Sequence, residues 1–374
     1  MGDGVRVHPV VKADAYGHGA VPVARALEAA GADGFCVATW DEALELRQGG
    51  IRAGILVMYP VPDAHLPAAA RLRVAVPAGD MVLLDRMIAS MAAARSRLAI
   101  RVHICVETGL GRDGVPVEMV VEAARRIRAA PGLRLAGLWT HLQEPEDEPR
   151  RATQVERFEA AAAALQRAGI RVPQRHLSAT GDLLHPPLPG YGIRPGLILY
   201  GLGLDPPALG RDGRLLAGPR IVPGVRPALS LMARPVRVMD LPAGWGISYG
   251  PTFETRRPSR IATLPLGYAD GWPRELSNRA EALVRGRRVP IVGNVAMDAI
   301  MADVTDVPGR PVTVDDEFVL IGRQGTEAIS TGDLAQTRTT ISREVATDLS
   351  RRLPRVYHAA AGLTGVRTLL SGVP

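Results

Sequence analysis

Short apolar runs alternate with longer amphipathic stretches along the first part of the chain. The run VRVHPVVK (5–12), rich in valine, reads as a strand. In VPVARALEAAG (21–31), Val23, Ala26, Leu27 and Ala30 fall on a helical period that Gly31 closes. GFCVAT (34–39) is again a short strand, and DEALELRQGG (41–50) is a helix with an acidic first turn and a glycine stop. The alternation continues through strands at 54–59, 73–76, 98–106, 133–141, 174–179 and 195–202. Helices at 64–72, 79–96, 117–130 and 149–169 and a short connection at 180–186 lie between them. Continuous Val/Ile/Leu runs separated by helices predict parallel strands covered on their outer face. Eight such units predict an α/β fold, a (β/α)8 barrel of the TIM type. An open doubly wound sheet is the structural alternative, and the GxGxxG expected after its first strand is missing.

Residues 203–226, GLDPPALGRDGRLLAGPRIVPGVR, are rich in Pro and Gly and read as a linker. Beyond it the texture changes. ARPVRVMDL (233–241), RIATLPLGY (260–268), EALVRGRRVPIV (281–292), AIMADVT (299–305) and EFVLIG (317–322) are short strands with Gly and Pro turns and few helices between them. A helical piece near 339–353 precedes the end, and no repeat occurs at a solenoid period. The division expected is a barrel over 1–222 and a mainly β domain over 223–374.

Composition narrows the classes. A hydrophobic fraction of 47% in 374 residues supports a sizeable core, and 22% charged residues argue against disorder. The net charge of +7 is scattered, with no basic block and only 4% aromatics, so nucleic acid is not an expected partner. Cys36 and Cys105 sit in apolar runs and form no CxxC, which points to a reducing compartment without structural disulfide or metal. No uncharged apolar stretch of about 18 residues occurs, and the N-terminus lacks a signal-peptide core; a soluble, cytoplasmic protein with no membrane partner is expected.

One residue stands out against this background. Of 45 Lys plus Arg residues a single one, Lys12, is lysine. Only a primary amine condenses with an aldehyde to a Schiff base; a guanidinium stays protonated. A chain that has drifted to arginine keeps lysine where that chemistry matters. Lys12 also ends the first predicted strand, at the face where barrels of this type carry active sites.

The segment around it, VVKADAYGHG (10–19), resembles the pyridoxal-phosphate attachment motif of the alanine racemase family, fold-type III pyridoxal-phosphate enzymes. The resemblance recurs in ETGLGRDG (107–114), WTH (139–141), YGIRPGLILYGL (191–202), GISYGPTFET (246–255), LPLGYADGWPR (264–274), VPIVGNVAMDAI (289–300) and RLPRVY (352–357), in family order. It implies an N-terminal (β/α)8 barrel with a C-terminal β domain, pyridoxal 5′-phosphate as cofactor and a small amino acid as substrate. It also implies a homodimer whose active sites combine the barrel of one subunit with the β domain of the other. The implied activity is interconversion of L- and D-alanine for peptidoglycan by two bases. Lys12 would hold the cofactor and act on one face of the α-carbon, and Tyr249 would act on the other. A phenol with an ordinary pKa of about 10 needs a nearby positive charge or hydrogen bonds to serve as a base, and the resemblance assigns that help to His141 and Arg194.

The resemblance assigns the remaining roles as well. Arg194 would meet the pyridine nitrogen, and as a pure donor would leave it unprotonated; His176 would back Arg194. Tyr16, Thr180 and the amides of Gly196 and Leu197 would hold the phosphate. Arg112 and the amide of Met297 would hold the substrate carboxylate, with Tyr268 and Asp298 on the entry side. Gly17 and Gly19 read equally well as turn residues.

Three departures from the family pattern carry expectations of their own. Only 11 residues precede Lys12, where the family carries a longer strand-and-helix segment; the neighbours of that strand are expected to be exposed. Cys105, seven residues before Arg112, occupies a position that is often a carbamylated lysine. Arg112 is therefore expected to lose its anionic partner, with chloride or water in its stead. Arg343 stands where a tyrosine usually touches the phosphate, and a charge there could pair with phosphate more strongly. These departures leave open a racemase of another or broader range of amino acids. A barrel-type decarboxylase of basic amino acids is disfavoured by an arginine at 194 rather than a carboxylate. A degenerate cofactor-binding relative is disfavoured by Tyr249.

Overall fold

In the computed structural model of the chain, residues 5–185, 190–203, 224–360 and 362–371 are described. The chain divides into two compact units, one running to Ala15 and over Gly19–Gly196, the other comprising Tyr16–His18 and the chain from Leu197 onward. The expected linker over 203–226, and with it the expected boundary at 222/223, falls almost wholly outside the described residues.

The first unit is built on parallel strands β1 (Gly34–Val37), β2 (Gly54–Val57), β3 (Val74–Ala78), β4 (Ile100–Glu107), the two-residue β5 (Val115–Pro116), β6 (Leu133–Trp139), β7 (Gln174–Ala179) and β8 (Gly192–Arg194). They follow the order β1-β2-β3-β4-β6-β7-β8, with β5 beside β4. The expected first strand closes the ring. On one side His8 N–H donates to the Ile193 carbonyl and Ile193 N–H to that of Arg6, each at 2.8 Å; on the other Val11 N–H donates to Cys36 at 2.9 Å. Pro9 has no N–H to give, so the pairing reduces to the bridges Val7↔Ile193 and Val10↔Cys36 rather than a continuous ladder. β1 and β3 are buried throughout, as continuous apolar runs require.

Helices Ala20–Ala29, Trp40–Gln48, Leu66–Arg71, Met81–Ala93, Val120–Ala129 and Glu148–Arg167 separate the strands. Their starts are sequence-coded: Thr39, Asp80 and Asp147 each accept a hydrogen bond from a backbone N–H in the first turn. No helix among the described residues is long and apolar enough to cross a membrane.

The eighth strand departs from expectation. The apolar run expected as a strand over 195–202 is a 3-10 turn at Leu197–Tyr200, and the strand lies earlier, at Gly192–Arg194. Pro195 lacks the N–H that would extend the ladder, and a four-residue apolar run cannot be assigned by periodicity.

The barrel interior is not uniformly apolar. Arg194, 2% exposed, donates from Nη1 to His176 Nδ1 at 2.6 Å, and His176 Nε2 lies 3.1 Å from His103 Nδ1. Trp139 stacks parallel to His176, with ring centroids 6.1 Å apart, and also lies under the Arg194 guanidinium. A Cβ on Gly137 would stand 2.2 Å from His103 Nδ1, so β6 needs glycine where the imidazole crosses it. Since arginine only donates, His176 Nδ1 must be bare, its proton must sit on Nε2, and His103 Nδ1 must be the acceptor. Both rings are held neutral in one tautomer.

The second unit is an antiparallel sheet of β9 (Leu231–Ala233), β10 (Arg237–Leu241), β11 (Ser259–Leu264), β12 (Glu281–Val284), β13 (Arg287–Val292), β14 (Ile300–Asp303), β15 (Phe318–Gln324) and β16 (Glu327–Ile329). Its order is β10-β11-β14-β13-β12-β15-β16, with β9 on β15. Leu264, Trp272, Leu283, Ile291 and Phe318 lie in its core. The run EALVRGRRVPIV is a tight hairpin: Arg285 (φ 52°) and Gly286 (φ 71°) both take the left-handed conformation that a two-residue turn of matching twist demands. Helices Thr331–Arg338 and Ser342–Asp348 follow, then the hairpin β17 (Arg355–Ala359) and β18 (Gly362–Arg367). Only the second of these helices was expected, although Ser330 and Asp333 form a capping box at the start of the first.

The half-buried His8 and the buried His103 and His176 set an acid limit. Burial, reinforced by neighbouring Arg194, pushes His8 down to about 4, and burial with His8, Arg101 and Arg194 pushes His103 down to about 3. Burial and Arg194 hold His176 well below its ordinary range. Below the ordinary imidazole pKa of about 6.5 the unfolded chain binds more protons than the folded one, so stability is lost as pH falls. His8 and His103 are each expected to contribute up to about 2 kcal/mol of loss between pH 6.5 and 5. Urea unfolding should show the midpoint dropping steeply over that interval; a flat midpoint would mean that the barrel tolerates imidazolium.

Candidate active site

Lys12 follows the buried Val10 and Val11 at the C-terminal end of the closing segment. The chain then does something unusual for L-residues. Ala13, Asp14, Ala15 and Tyr16 all take left-handed backbone angles, with φ of 52°, 55°, 55° and 52°. Each such residue costs roughly 1–2 kcal/mol, so the turn must be held. Ala15 N–H donates to the Val11 carbonyl at 3.0 Å, Gly19 N–H to the Asp14 carbonyl at 2.7 Å, and Ala20 N–H to Asp14 Oδ1 at 2.8 Å. Gly17 and Gly19, also at positive φ, continue the turn without that cost. The lysine therefore leaves the strand at the start of a sharply reversed path.

Arg194 is anchored on three sides. Besides His176 it donates from Nη2 to the carbonyls of Thr140 (2.6 Å) and Leu177 (3.2 Å), while its Nε has no acceptor among the described residues. Burial, then the charges of Arg194, Arg112 and Lys12, push the His141 imidazole down to about 3. The ring is thereby held neutral. Thr180 is buried, and its hydroxyl oxygen accepts the Gly196 N–H at 2.9 Å. That bond leaves the hydroxyl proton for another acceptor and uses the Gly196 amide within the protein.

Arg112 is not left without an anion, contrary to expectation. Its Nε donates to Asp113 Oδ1 at 3.0 Å, and its guanidinium lies 5.6 Å from the Tyr59 ring centre. Cys105 is buried, and burial followed by the Asp113 charge pushes its thiol up to about 12, so it is uncharged. Asp113 reaches this region because the loop folds back. Glu107 accepts the N–H groups of Gly109 and Gly111, and a Cβ on Gly79 would lie within 3.8 Å of both Cys105 Cβ and Asp113 Oδ2. The carboxylate comes from the residue next to Arg112, to which the ETGLGRDG resemblance assigned no role. His103 was likewise missed, as one polar residue in the apolar run of β4.

The remaining expected residues belong to the second unit. The Tyr16 and Tyr200 rings lie 5.1 Å apart, and Leu197 opens the 3-10 turn. Tyr249 sits in a turn stiffened by Asn294 Nδ2, which donates to the Tyr249 carbonyl at 2.9 Å; its side chain is 79% exposed. Tyr268 heads the turn Tyr268–Asp270, and its N–H donates to the Ala296 carbonyl at 3.0 Å. The next amide, from Ala269, donates to Met297 at 3.1 Å, which brings Tyr268 and Met297 together. Asp298 accepts from Arg352 Nη2 at 2.7 Å, and Arg352 also pairs with the buried Asp270. Arg343 lies half-buried in the helix Ser342–Asp348, with no ion pair to its guanidinium among the described residues.

Comparison with known proteins gives a consistent result. The alanine racemase N-terminal domain family matches residues 1–203, and the alanine racemase C-terminal domain family matches residues 228–357. The alanine racemase of Symbiobacterium thermophilum is 43% identical over 94% of this chain and 90% of its own length. That of Halothermothrix orenii is 37% identical over 97% and 92%. Among solved structures, the alanine racemase of Bacillus anthracis with bound L-Ala-P superposes with a TM-score of 0.88 at 32% identity, covering 100% of this chain and 93% of the other. The chain, with its barrel and its β unit, belongs to the alanine racemase family of isomerases.

Proposed function

We propose that the protein is a pyridoxal 5′-phosphate-dependent racemase that interconverts L- and D-alanine in the cytoplasm, as a source of D-alanine for peptidoglycan. The observation that carries the reading is the placing of Lys12, Arg112, His141 and Arg194 at or just beyond the C-terminal ends of barrel strands, around the buried Arg194–His176 pair. Such a cluster suits a ligand with a phosphate, an aldehyde and a carboxylate-bearing partner. It holds the chain's one amine side chain, and the buried Arg194 keeps an Nε donor without a protein acceptor among the described residues. The cofactor, when bound, supplies an aldehyde that takes up amino groups and a ring that withdraws electrons from the α-carbon.

The protein's own groups divide the remaining work. Lys12 would anchor the cofactor and move a proton on one face of the α-carbon. Arg194 would donate to the ring nitrogen and leave it unprotonated, because a guanidinium has donors only; its Nη groups are already taken by His176, Thr140 and Leu177. The Thr180 hydroxyl, the Leu197 amide, Tyr16 and Arg343 would hold the phosphate, with Gly196 fixing Thr180 through its N–H. Arg112, oriented by Asp113, would take the substrate carboxylate together with the Met297 amide, and Tyr268 and Asp298 would border the entry. Tyr249 would be the second base. Its side chain stands free on a single chain, which supports a homodimer in which Tyr249 of one copy serves Lys12 of the other.

Borohydride reduction of the purified protein with the cofactor is expected to add one cofactor mass to the chain and none to Lys12→Ala; an unmodified wild-type chain in intact-mass spectra would overturn the reading. In D2O, Tyr249→Phe should exchange the α-proton of one alanine enantiomer only, whereas exchange from both would rule out the two-base assignment. Asp113→Asn should raise KM for alanine about tenfold, the equivalent of about 1.4 kcal/mol, with kcat nearly spared; an unchanged KM would remove Asp113 from substrate binding.

A further inference from the structure

Glu42 carries more than the start of its helix. The carboxylate accepts three backbone N–H groups: Oε2 takes those of Ala38 at 2.7 Å and Thr39 at 3.1 Å, and Oε1 takes that of Ala13 at 2.6 Å. In return the Glu42 amide donates to Thr39 Oγ1 at 3.3 Å. A capping box requires only the pair between Thr39 and Glu42. Oε2 completes it, so the bond from Oε1 serves something else.

That bond falls on the peptide joining Lys12 to Ala13. Ala13 begins the left-handed run, at φ 52°, and within the turn Ala15 N–H donates to the Val11 carbonyl. Ala13 is itself exposed, so without an acceptor its N–H would face water at the point where the chain reverses. Glu42 ties that peptide to the end of the neighbouring strand β1, through Ala38 and Thr39. We propose that Glu42 is a positioning residue for Lys12: it fixes the plane of the Lys12–Ala13 peptide and so the direction in which the amine leaves the barrel strand. Its consequence for catalysis rests on Lys12 being the attachment point; its geometric part does not. A carboxylate is needed because it has only acceptors. A glutamine could serve Ala13 or the Ala38/Thr39 pair, but its NH2 would then confront the other donors.

Two variants separate this role from simple helix capping. Thr39→Ala removes the cap oxygen and leaves both Glu42 oxygens in place; Glu42→Gln keeps the Thr39 oxygen and breaks one tie. Hydrogen exchange of the Ala13 amide is read on the cofactor-free protein. The rate at which pyridoxal 5′-phosphate becomes reducible onto Lys12 is read by mass, and kcat and KM for alanine are read on the loaded enzyme. Glu42→Gln should speed Ala13 exchange by about tenfold or more. It should also slow both attachment and kcat by about tenfold to a hundredfold, with KM nearly unchanged. Thr39→Ala should match wild type in all of these while losing comparable thermal stability. Equal behaviour of the two variants would overturn the proposal. If Glu42→Gln does not fold, Glu42→Asp, which keeps a carboxylate at the cap but is one methylene shorter, is read against the same outcomes. A wild-type chain that takes no cofactor on Lys12 would sink the proposed function, and the exchange comparison would still decide the role of Glu42.

Discussion

A guanidinium donates hydrogen bonds and accepts none, and burying one commits everything around it. Arg194, at 2% exposure, imposes that commitment on four barrel strands. Its partners have to be carbonyls and a bare imidazole nitrogen. His176 must then carry its proton on the far side, His103 must accept it, and Gly137 must have no side chain. The Trp139 ring lies flat beneath both the arginine and His176. Protonating either histidine would set a donor against a donor, so the network has one low-energy arrangement at neutral pH. A site that has to present donors to a ligand is better served by that rigidity than by an apolar filling, which would pack well and orient nothing.

At the rim of the barrel the constraint is conformational. Four consecutive left-handed residues form a strained path, and such strain persists only where the surroundings over-determine it. Asp14 closes the turn from within, through Gly19 and Ala20, and Glu42 holds its first peptide from the neighbouring strand end. The reversal lets an otherwise ordinary strand end on a lysine and turn away at once. The amine then projects from a fixed backbone rather than from a loop free to move.

The parts legible in the sequence were those with a period or a unique chemistry. Parallel strands covered by helices produce unbroken apolar runs, and these located six of the eight expected barrel strands to within a few residues, with the first present as a bridged segment. Lys12 was legible because it is the one lysine among the basic residues. The rest was hidden for identifiable reasons. PGLILYGL has strand-like composition, yet Pro195 ends the ladder and the tail coils into a 3-10 turn. Lys-Ala-Asp-Ala would suit a right-handed helix, so nothing local announces the left-handed run. His103 looked like an isolated polar residue because its partners are three strands away in sequence and adjacent in space. Glu42 read as an acidic helix start, which it is, and its second oxygen had no sequence signature.

The pairing of Arg112 with Asp113 has a chemical consequence. A carbamate forms on lysine only by taking up carbon dioxide, and a halide occupies a site only according to its concentration. Here the counter-charge is encoded in the polypeptide and arrives with translation. Its presence beside Arg112 therefore depends on neither dissolved gas nor halide, although salt still screens the attraction of so exposed a pair.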